Sequence, residues 1–257
     1  ADQGKVTEQT KAFYAQRAQG GAGLICAGYA TVDEQSGSSL NIGAHKDEFI
    51  PGLQELARTI QDGGAASCVQ LNHAGRYNFS FFMDGRQAVA PSALTSKLTG
   101  ERPRALDIEE IQGIAHRFGQ AAARVRQAGF DAVEILAGTG YLNSEFISPL
   151  TNQRQDEYGG SFENRMRFPL QVLSAIRDQV GADFPLLVRM NGNDLMQDGM
   201  GSQELLEVAR ALAEQGRVDA LNVNVGWHEG RVAQIVPSVP RGAFAYLARR
   251  IKEATGL

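Results

Sequence analysis

Four polar side chains stand at or just after the ends of apolar segments, and their types suit proton transfer and anion binding. Gln70 lies in VQLNHAGR, Tyr141 in AGTGYLNSEF, Arg189 in LLVRMNGND and His228 in NVNVGWHEGR. A guanidinium binds anions, and a phenol or an imidazole can act as a catalytic acid or base. If the apolar segments are parallel strands of a barrel, we expect the four side chains to converge on one face.

Each of these residues also has a structural interpretation, which the sequence leaves open. Gln70 and His73 can bond the backbone of a loop. Arg189 can form an ion pair with Glu134, because both charged residues interrupt apolar segments and a buried charge needs a partner. Tyr141 can be a packed residue with a satisfied hydroxyl group.

The other histidines and Trp227 also have structural interpretations. His228 follows Trp227, and the pair can anchor a loop instead of taking part in chemistry. His45 and His116 are interpreted as solvated side chains. Trp227 is interpreted as a packing residue.

Alternating apolar and amphipathic segments would position these residues. The predicted strands are 22–27, 65–71, 130–136, 185–190 and 218–225, with nearly continuous apolar character that is typical of strands covered on both faces. The predicted helices are 107–128 and segments near 7–19, 49–62, 165–180, 203–215 and 242–254. The helix at 107–128 is the clearest, since Asp107 and Glu110 form a capping-box pattern and Gly129 ends it.

This alternation predicts an α/β fold with a parallel sheet in a single domain. No G-x-G-x-x-G or G-x-x-x-x-G-K-[ST] motif indicates a nucleotide-binding sheet. Long loops at 72–106, 137–164 and 225–241 follow strand ends, where a β/α barrel places its active site. The periodicity alone does not separate a barrel from a doubly wound sheet, but the absent nucleotide motifs and the long loops favour the barrel. Five strands are too few to close a barrel.

Composition excludes several classes of function. The 25 Lys and Arg residues against 29 Asp and Glu residues give a net charge of −4, so no basic surface for nucleic acid is expected. No apolar run reaches membrane-spanning length and no signal peptide opens the sequence, which favours a cytoplasmic protein. Cys26 and Cys68 form no CxxC pair, so free thiols are favoured over a disulfide and no metal site is expected. The absence of G-x-S-x-G and H-E-x-x-H motifs disfavours serine and simple metal hydrolysis.

Three segments carry a family resemblance. GYLNSEFISPLTNQRQDEYGGSFENRMRF (140–168) closely resembles the signature of the flavin-dependent Old Yellow Enzyme family, and VQLNHAGR (69–76) is similar to its third-strand segment. GWHEGR (226–231) with PRGAF (240–244) resembles the bacterial 2,4-dienoyl-CoA reductase branch. The resemblance implies a (β/α)8 TIM barrel that binds FMN, of which residues 1–257 form one incomplete domain holding about strands 2–6.

The resemblance also implies parts that lie outside this sequence. These are the first barrel strand and the loops of the seventh and eighth strands, which bind the flavin phosphate. The larger reductases add a segment for a 4Fe-4S cluster and an FAD/NADPH domain. We therefore expect missing barrel segments, or further domains of a larger parent chain, as partners, with NAD(P)H as the electron source. An isolated piece would leave strand edges unpaired.

The resemblance assigns cofactor-binding roles to four residues. Gln70 matches the glutamine that binds the pyrimidine edge of the flavin. Arg189 matches the arginine near N1 and O2, where a reduced flavin gathers negative charge. Gly28 and Tyr29 match the backbone close to the ring. Tyr29 is also similar to a tyrosine of amine-oxidising relatives.

The resemblance assigns catalysis to Tyr141 and His228. Leu136 and Thr139 occupy the positions at which many ene-reductases carry two histidines or a His/Asn pair, so the simple enone mechanism is disfavoured. In the dienoyl-CoA branch, hydride leaves flavin N5 for the conjugated system, while the residue matched by Tyr141 donates a proton with help from the histidine.

The resemblance also predicts the substrate. The loop of His228, Glu229, Gly230 and Arg231 matches a contact with a CoA thioester, in which Arg231 either meets a CoA phosphate or is solvated. The predicted function is FMN-dependent, NAD(P)H-driven reduction of a conjugated C=C bond of an unsaturated acyl-CoA, as in fatty acid metabolism. Amine or other C–N oxidation on the same barrel, and a non-catalytic barrel fragment, are the alternatives.

Overall fold

The computed structural model describes residues 1–215, 217–232 and 236–257. The strands in this part of the chain are β1 (Leu24–Thr31), β2 (Ile42–Gly43), β3 (Ala66–Asn72), β4 (Val89–Ala90), β5 (Arg104–Ala105), β6 (Ala132–Ala137), β7 (Leu186–Asn191) and β8 (Ala220–Asn224). The α-helices are α1 (Glu8–Gln19), α2 (Ile50–Asp62), α3 (Ile108–Gln127), α4 (Leu142–Ile147), α5 (Phe162–Val180), α6 (Ser202–Gln215) and α7 (Ala245–Thr255).

The main sheet is parallel, with the strand order β2-β1-β3-β6-β7-β8. Its five longer strands therefore neighbour one another in the order in which the chain visits them. Gln70 of β3 lies opposite Glu134 of β6, and Arg189 of β7 lies between Leu136 and Asn222. β4 and β5 form a separate two-stranded sheet inside the loop that follows β3.

The helices show which α/β architecture this is. α1 packs on α2, α2 on α3, α3 on α5, α5 on α6 and α6 on α7. Successive helices that contact one another lie on the same face of the sheet, whereas those of a doubly wound sheet are divided between two faces. The structure is thus an open section of a β/α barrel, and the barrel prediction is confirmed.

The two sides of the strands differ in polarity. Val69, Leu71, Val133, Ile135 and Val188 are buried members of the hydrophobic core, which includes residues of the surrounding helices. Because side chains alternate along a strand, the residues between them share the opposite, inner face. That face carries the polar side chains Gln70, Asn72, Glu134, Arg189 and Asn222. The sequence predicted strands covered on both faces; the inner face mixes these polar side chains with Cys68, Leu136 and Leu187.

The predicted elements are found with small shifts. The helix predicted at 107–128 spans Ile108–Gln127, and the capping box is present, with Asp107 and Glu110 each accepting from the other's backbone N–H. The strand predicted at 22–27 runs on to Thr31. The short elements α4, β2, β4 and β5 were not predicted. In the residues described, no helix has both the length and the apolar character needed to cross a bilayer.

The packing of α3 on α5 gives the first prediction. A Cβ atom at Gly119 would lie 2.6 Å from the carbonyl oxygen of Ala175 in α5. Gly119→Ala should therefore lower the free energy of unfolding, measured by urea denaturation, by roughly 1–3 kcal/mol. Gly113→Ala in the same helix is the control, because its Cβ would meet only the movable Arg117 guanidinium at 3.2 Å. It should be neutral or stabilising. Equal effects of the two substitutions would contradict this packing.

Candidate active site

Tyr141 and His228 meet at the carboxyl ends of the strands. Tyr141 follows β6 and His228 follows β8, and the Tyr141 hydroxyl oxygen lies 3.2 Å from Nε2 of His228. Their ring centroids are 5.2 Å apart at an interplanar angle of 73°. These residues are distant in sequence, and the barrel order brings their loops together across the intervening strand, β7.

The loop that carries Tyr141 is fixed by its own hydrogen bonds. The Ser144 hydroxyl accepts from the backbone N–H of Gly140 at 3.0 Å, and lies 2.8 Å from the Tyr141 carbonyl oxygen and 3.0 Å from that of Gly138. Gly140 has φ +94°, and a Cβ there would collide with the Tyr77 ring. Glycine is therefore required at this turn.

The loop that carries His228 is tied to the Tyr141 loop. The backbone N–H of His228 donates to the Thr139 carbonyl at 3.3 Å. Asn191 at the end of β7 accepts from the Thr139 N–H at 3.3 Å and donates to the Gly226 carbonyl at 3.2 Å. Trp227 is fully buried, as its interpretation as a packing residue requires.

A buried ion pair joins the His228 loop to the long loop after β3. Nη2 of Arg76 lies 2.8 Å from Glu229, and the two side chains are only 6% and 3% exposed. The other oxygen of Glu229 accepts from the Lys97 N–H at 2.8 Å and from the Ser96 hydroxyl at 3.1 Å. Glu229 thus has a structural role in addition to the predicted contact with substrate, which stays a prediction.

The remaining residues of the predicted substrate loop are more accessible. Gly230 is partly exposed, and its N–H donates to the Trp227 carbonyl at 2.8 Å. Arg231 is exposed.

Among the buried residues near the Tyr141–His228 pair that the sequence did not predict are Glu145 and Tyr77. Glu145 is fully buried, and burial raises the pKa of its carboxyl to about 8 despite the nearby positive charge of Arg76. It is therefore largely protonated at neutral pH. Tyr77 packs edge-on against Tyr141 and His228, with centroid distances of 5.8 and 5.7 Å. Both lie in or beside the segments that carry the family resemblance, which was the available signal.

Tyr29 completes an aromatic wall around Tyr141. Its ring centroid lies 5.8 Å from that of Tyr141, at an angle of 62°. Burial raises the pKa of the Tyr29 and Tyr77 hydroxyls, so both remain protonated at neutral pH. The two tyrosine rings that pack against Tyr141 are therefore uncharged at neutral pH.

The charge state of the pair follows from burial and from Arg189. Burial raises the pKa of Tyr141, and the positive charge of Arg189 opposes that increase. Burial and Arg189 both lower the pKa of His228. At pH 7 the tyrosine is therefore protonated and the imidazole is neutral.

The inner face below this pair does not contain the ion pair that the sequence allowed. Glu134 is 1% exposed and accepts from neutral amides, Nε2 of Gln70 at 2.7 Å and Nδ2 of Asn222 at 2.9 Å. In the described residues Arg189 has no carboxylate within 4.0 Å. Its Nη2 donates to Oδ1 of Asn224 at 3.3 Å.

The polar atoms left over on this face fit the pyrimidine edge of a flavin, which presents carbonyl acceptors and an imide N–H. Nε of Arg189 and Nδ2 of Asn224 are buried donors without a partner in the part of the chain that is described. The Gln70 side-chain oxygen remains as an acceptor, because its amide nitrogen is bound to Glu134. Gly28 is bare backbone beside them, where a Cβ would come within 3.0 Å of the Gln70 carbonyl.

The positions matched to the paired histidines of ene-reductases offer no such polar group. Leu136 is 4% exposed and Thr139 is 2% exposed. The Thr139 hydroxyl donates to the Gly138 carbonyl at 2.8 Å. Neither side chain can grip a substrate carbonyl as a histidine pair would.

Several candidates lie outside this site. His73 is buried, and its Nδ1 accepts from the Gly75 N–H at 3.1 Å, so the loop-bonding interpretation is confirmed. His45 lies 3.0 Å from the Thr31 hydroxyl and is partly exposed. His116 is exposed. Cys26 and Cys68 are free thiols on adjacent strands.

With this geometry in place, comparison with known proteins gives the family. The model of the NADH:flavin oxidoreductase / NADH oxidase family matches residues 1–255. The chain belongs to this family, that of Old Yellow Enzyme.

Individual relatives agree with this assignment. The chain is 47% identical over 254 residues to a metal reductase of Desulforamulus reducens, covering 99% of this chain and 38% of the relative. A 2-naphthoyl-CoA reductase, solved in complex with 2-naphthoyl-CoA, superposes with a TM-score of 0.92 at 32% identity, covering 98% of this chain and 40% of that one. Histamine dehydrogenase from Rhizobium sp. 4-9 gives a TM-score of 0.85 at 29% identity, with coverages of 96% and 36%. The chain thus spans about two fifths of the length of these relatives.

The buried Glu145 gives a prediction about pH. Its pKa rises from 4.5 to about 8 on folding, so the folded protein keeps a proton that the unfolded chain releases between these values. The free energy of unfolding therefore falls as the pH rises through this window, and the loss is complete above about pH 8. Glu145→Gln should lack this contribution. In urea unfolding at a series of pH values, the variant should gain stability relative to the wild type as the pH rises.

Glu157→Gln is the matched control, since Glu157 is exposed. A difference between Glu145→Gln and the wild type that stays constant with pH would contradict the protonated, buried state of Glu145.

Proposed function

We propose that the protein is an FMN-dependent NAD(P)H oxidoreductase that reduces a conjugated C=C bond of an unsaturated acyl-CoA, with 2,4-dienoyl-CoA as the leading candidate. The observation that carries the proposal is the hydrogen bond between Tyr141 and His228, beside a candidate flavin face and in place of a histidine pair. Family membership supports the flavin and nicotinamide parts. The relative bound to 2-naphthoyl-CoA supports a thioester substrate.

The inner face supplies the cofactor contacts. Gln70, Arg189 and Asn224 would hold the pyrimidine edge, with the backbone of Gly28 and Tyr29 beside the ring. Bound FMN would supply hydride to the substrate, with electrons that come from NAD(P)H. An Fe–S cluster and FAD, which the larger reductases carry, remain predictions about segments beyond residues 1–257. The chain covers only 38% and 40% of the length of two relatives, which supports this prediction.

The proton for the substrate would come from Tyr141. A tyrosine, with a reference pKa of about 10, is protonated at pH 7, and burial raises the pKa of Tyr141. For the Tyr141 O–H to point at the substrate, it cannot donate to His228. The neutral His228 must then carry its proton on Nε2 and donate it to the Tyr141 oxygen.

This arrangement also accommodates the charge that proton transfer creates. After Tyr141 gives up its proton, the phenolate oxygen accepts from Nε2 of His228, and the positive charge of Arg189 stabilises it. The imidazole then returns the Nε2 proton to Tyr141 while its Nδ1 takes a proton from solvent, so that the ring stays neutral. The exposed Arg231 fits a CoA phosphate, while His228, Glu229 and Gly230 would line the thioester.

Tyr141→Phe tests this role. The variant removes the proton but keeps the ring, so substrate reduction should slow by roughly 10²- to 10⁴-fold. Reduction of bound flavin by NAD(P)H should persist. Rapid-mixing absorbance spectroscopy measures the two half-reactions separately. Tyr246→Phe, at an exposed tyrosine of α7, should change neither. An equal decrease in both half-reactions of Tyr141→Phe would show that Tyr141 is not the proton donor.

A second candidate function is oxidation of a C–N bond in an amine. The rings of Tyr29 and Tyr77 both pack against that of Tyr141, and aromatic rings attract substituted ammonium groups through cation–π interactions. Histamine dehydrogenase, whose name describes amine oxidation, is among the similar structures. The buried position of Tyr77 and the absence of paired histidines are compatible with either substrate class.

Tyr29→Leu discriminates between the two functions. If the substrate is an amine, loss of this ring should raise the KM for a tertiary amine by roughly fivefold or more, with little change for a dienoyl-CoA. Steady-state turnover of both substrates by the wild type and the variant measures this. Turnover of dienoyl-CoA alone, by both proteins, would reject the amine function. A protein that binds no FMN would support the third reading, a non-catalytic fragment.

A further inference from the structure

One buried carboxylate on the inner face has no place in the proton-transfer scheme. Glu134 of β6 is 1% exposed. Its Oε1 accepts from Nε2 of Gln70 at 2.7 Å and from the Cys26 thiol at 3.4 Å, and its Oε2 accepts from Nδ2 of Asn222 at 2.9 Å. These bonds join four strands of the sheet, β1, β3, β6 and β8, and every partner is neutral.

The hydrogen bond to Gln70 determines which end of the Gln70 amide faces Glu134. A side-chain amide has a donor end and an acceptor end of similar shape, and it can rotate to exchange them. A carboxylate only accepts hydrogen bonds. Glu134 therefore holds the NH₂ group of Gln70 towards itself. The Gln70 oxygen, which has no hydrogen bond in the described residues, faces the remaining space as an acceptor.

We propose that Glu134 is a positioning residue, which fixes Gln70 as a hydrogen-bond acceptor for the imide N–H of a bound flavin. The proposal rests on the FMN site of the proposed function. It explains why a buried carboxylate stands beside Gln70 and does not pair with Arg189. Without an ion pair to Glu134, the charge of Arg189 is available to the flavin. Glu134 instead determines which end of the Gln70 amide faces the flavin.

The strand register supports this assignment. Gln70 and Glu134 are directly opposite in β3 and β6, so the bond between them spans one strand spacing. The neighbouring Gly28 in β1 is opposite Gln70 and has no side chain to compete for that amide. Asn222 approaches Glu134 from β8 and binds the other oxygen. Gln70 is thus held from one side and left open on the other.

The test compares FMN with N3-methyl-FMN, which lacks the imide N–H. Dissociation constants for the two flavins are measured by quenching of flavin fluorescence on the intact protein. The wild type should prefer FMN by roughly tenfold or more, the value of about one buried hydrogen bond. Gln70→Ala defines the preference that remains without this contact. In Glu134→Gln the preference for FMN should fall to that level. The new amide at position 134 can donate to the Gln70 oxygen, which allows the Gln70 amide to rotate.

Cys26→Ala is the matched control. It removes another contact of Glu134 but leaves its carboxylate, so the preference for FMN should stay at the wild-type value. If Glu134→Gln does not fold, as judged by circular dichroism, Glu134→Met takes its place. That side chain neither orients nor bonds the amide, and the preference should again fall.

The outcomes separate this inference from the proposed function. If Glu134→Gln keeps the full preference, or weakens both flavins by the same factor, Glu134 is only structural and the inference is wrong, while the FMN site stands. If the wild type binds neither flavin, the proposed function fails and the positioning role fails with it. Loss of the preference in the Glu134 variants to the level of Gln70→Ala, with Cys26→Ala unchanged, supports the proposal.

Discussion

One buried amide holds together the two loops that carry the candidate catalytic pair. Asn191, 1% exposed at the end of β7, accepts from the Thr139 N–H and donates to the Gly226 carbonyl. The loop after β6 and the loop after β8 are thereby fixed to the strand between them. Gly138 has to be a glycine here, since a Cβ would lie 2.8 Å from Oδ1 of Asn191. The 3.2 Å contact between Tyr141 and His228 depends on this connection.

The charged groups of the site differ in whether a neighbouring group balances their charge. Arg76 is neutralised by Glu229, and Glu145 beside it stays protonated at neutral pH because burial raises its pKa to about 8. A second ionised carboxylate would leave that buried cluster with unbalanced charge. Arg189, in contrast, has no carboxylate partner in the described residues. Its charge remains available for an anion, whether a reduced flavin or the Tyr141 phenolate.

The sequence predicted the strands and helices well, because short apolar runs and one strong capping box mark them. It could not separate a barrel from a doubly wound sheet, since apolar periodicity does not say on which face a helix packs. The Arg189–Glu134 pair was a reasonable expectation from two charges in apolar strands, but the register places amide donors around Glu134.

The residues missed from the sequence share one physical cause. Glu145 and Tyr77 became part of the site only through tertiary packing, in which α4 and the loop after β3 are buried together. A glutamate in a short helix is expected to be solvated, and no pattern in the neighbouring sequence predicts its burial. Glu229 likewise matched a substrate loop, and its ion pair with Arg76 depends on a residue far away in the sequence. Family resemblance marked the right segments without giving these contacts.

A crystal structure of the protein with FMN tests the account most directly. The account predicts that the pyrimidine edge lies within hydrogen-bonding distance of the Gln70 side-chain oxygen and the Arg189 guanidinium. It also predicts that the Tyr141 hydroxyl and His228 remain hydrogen-bonded above the same ring, open to a substrate. FMN bound elsewhere, or bound here with Tyr141 and His228 separated and turned away from the ring, would contradict it.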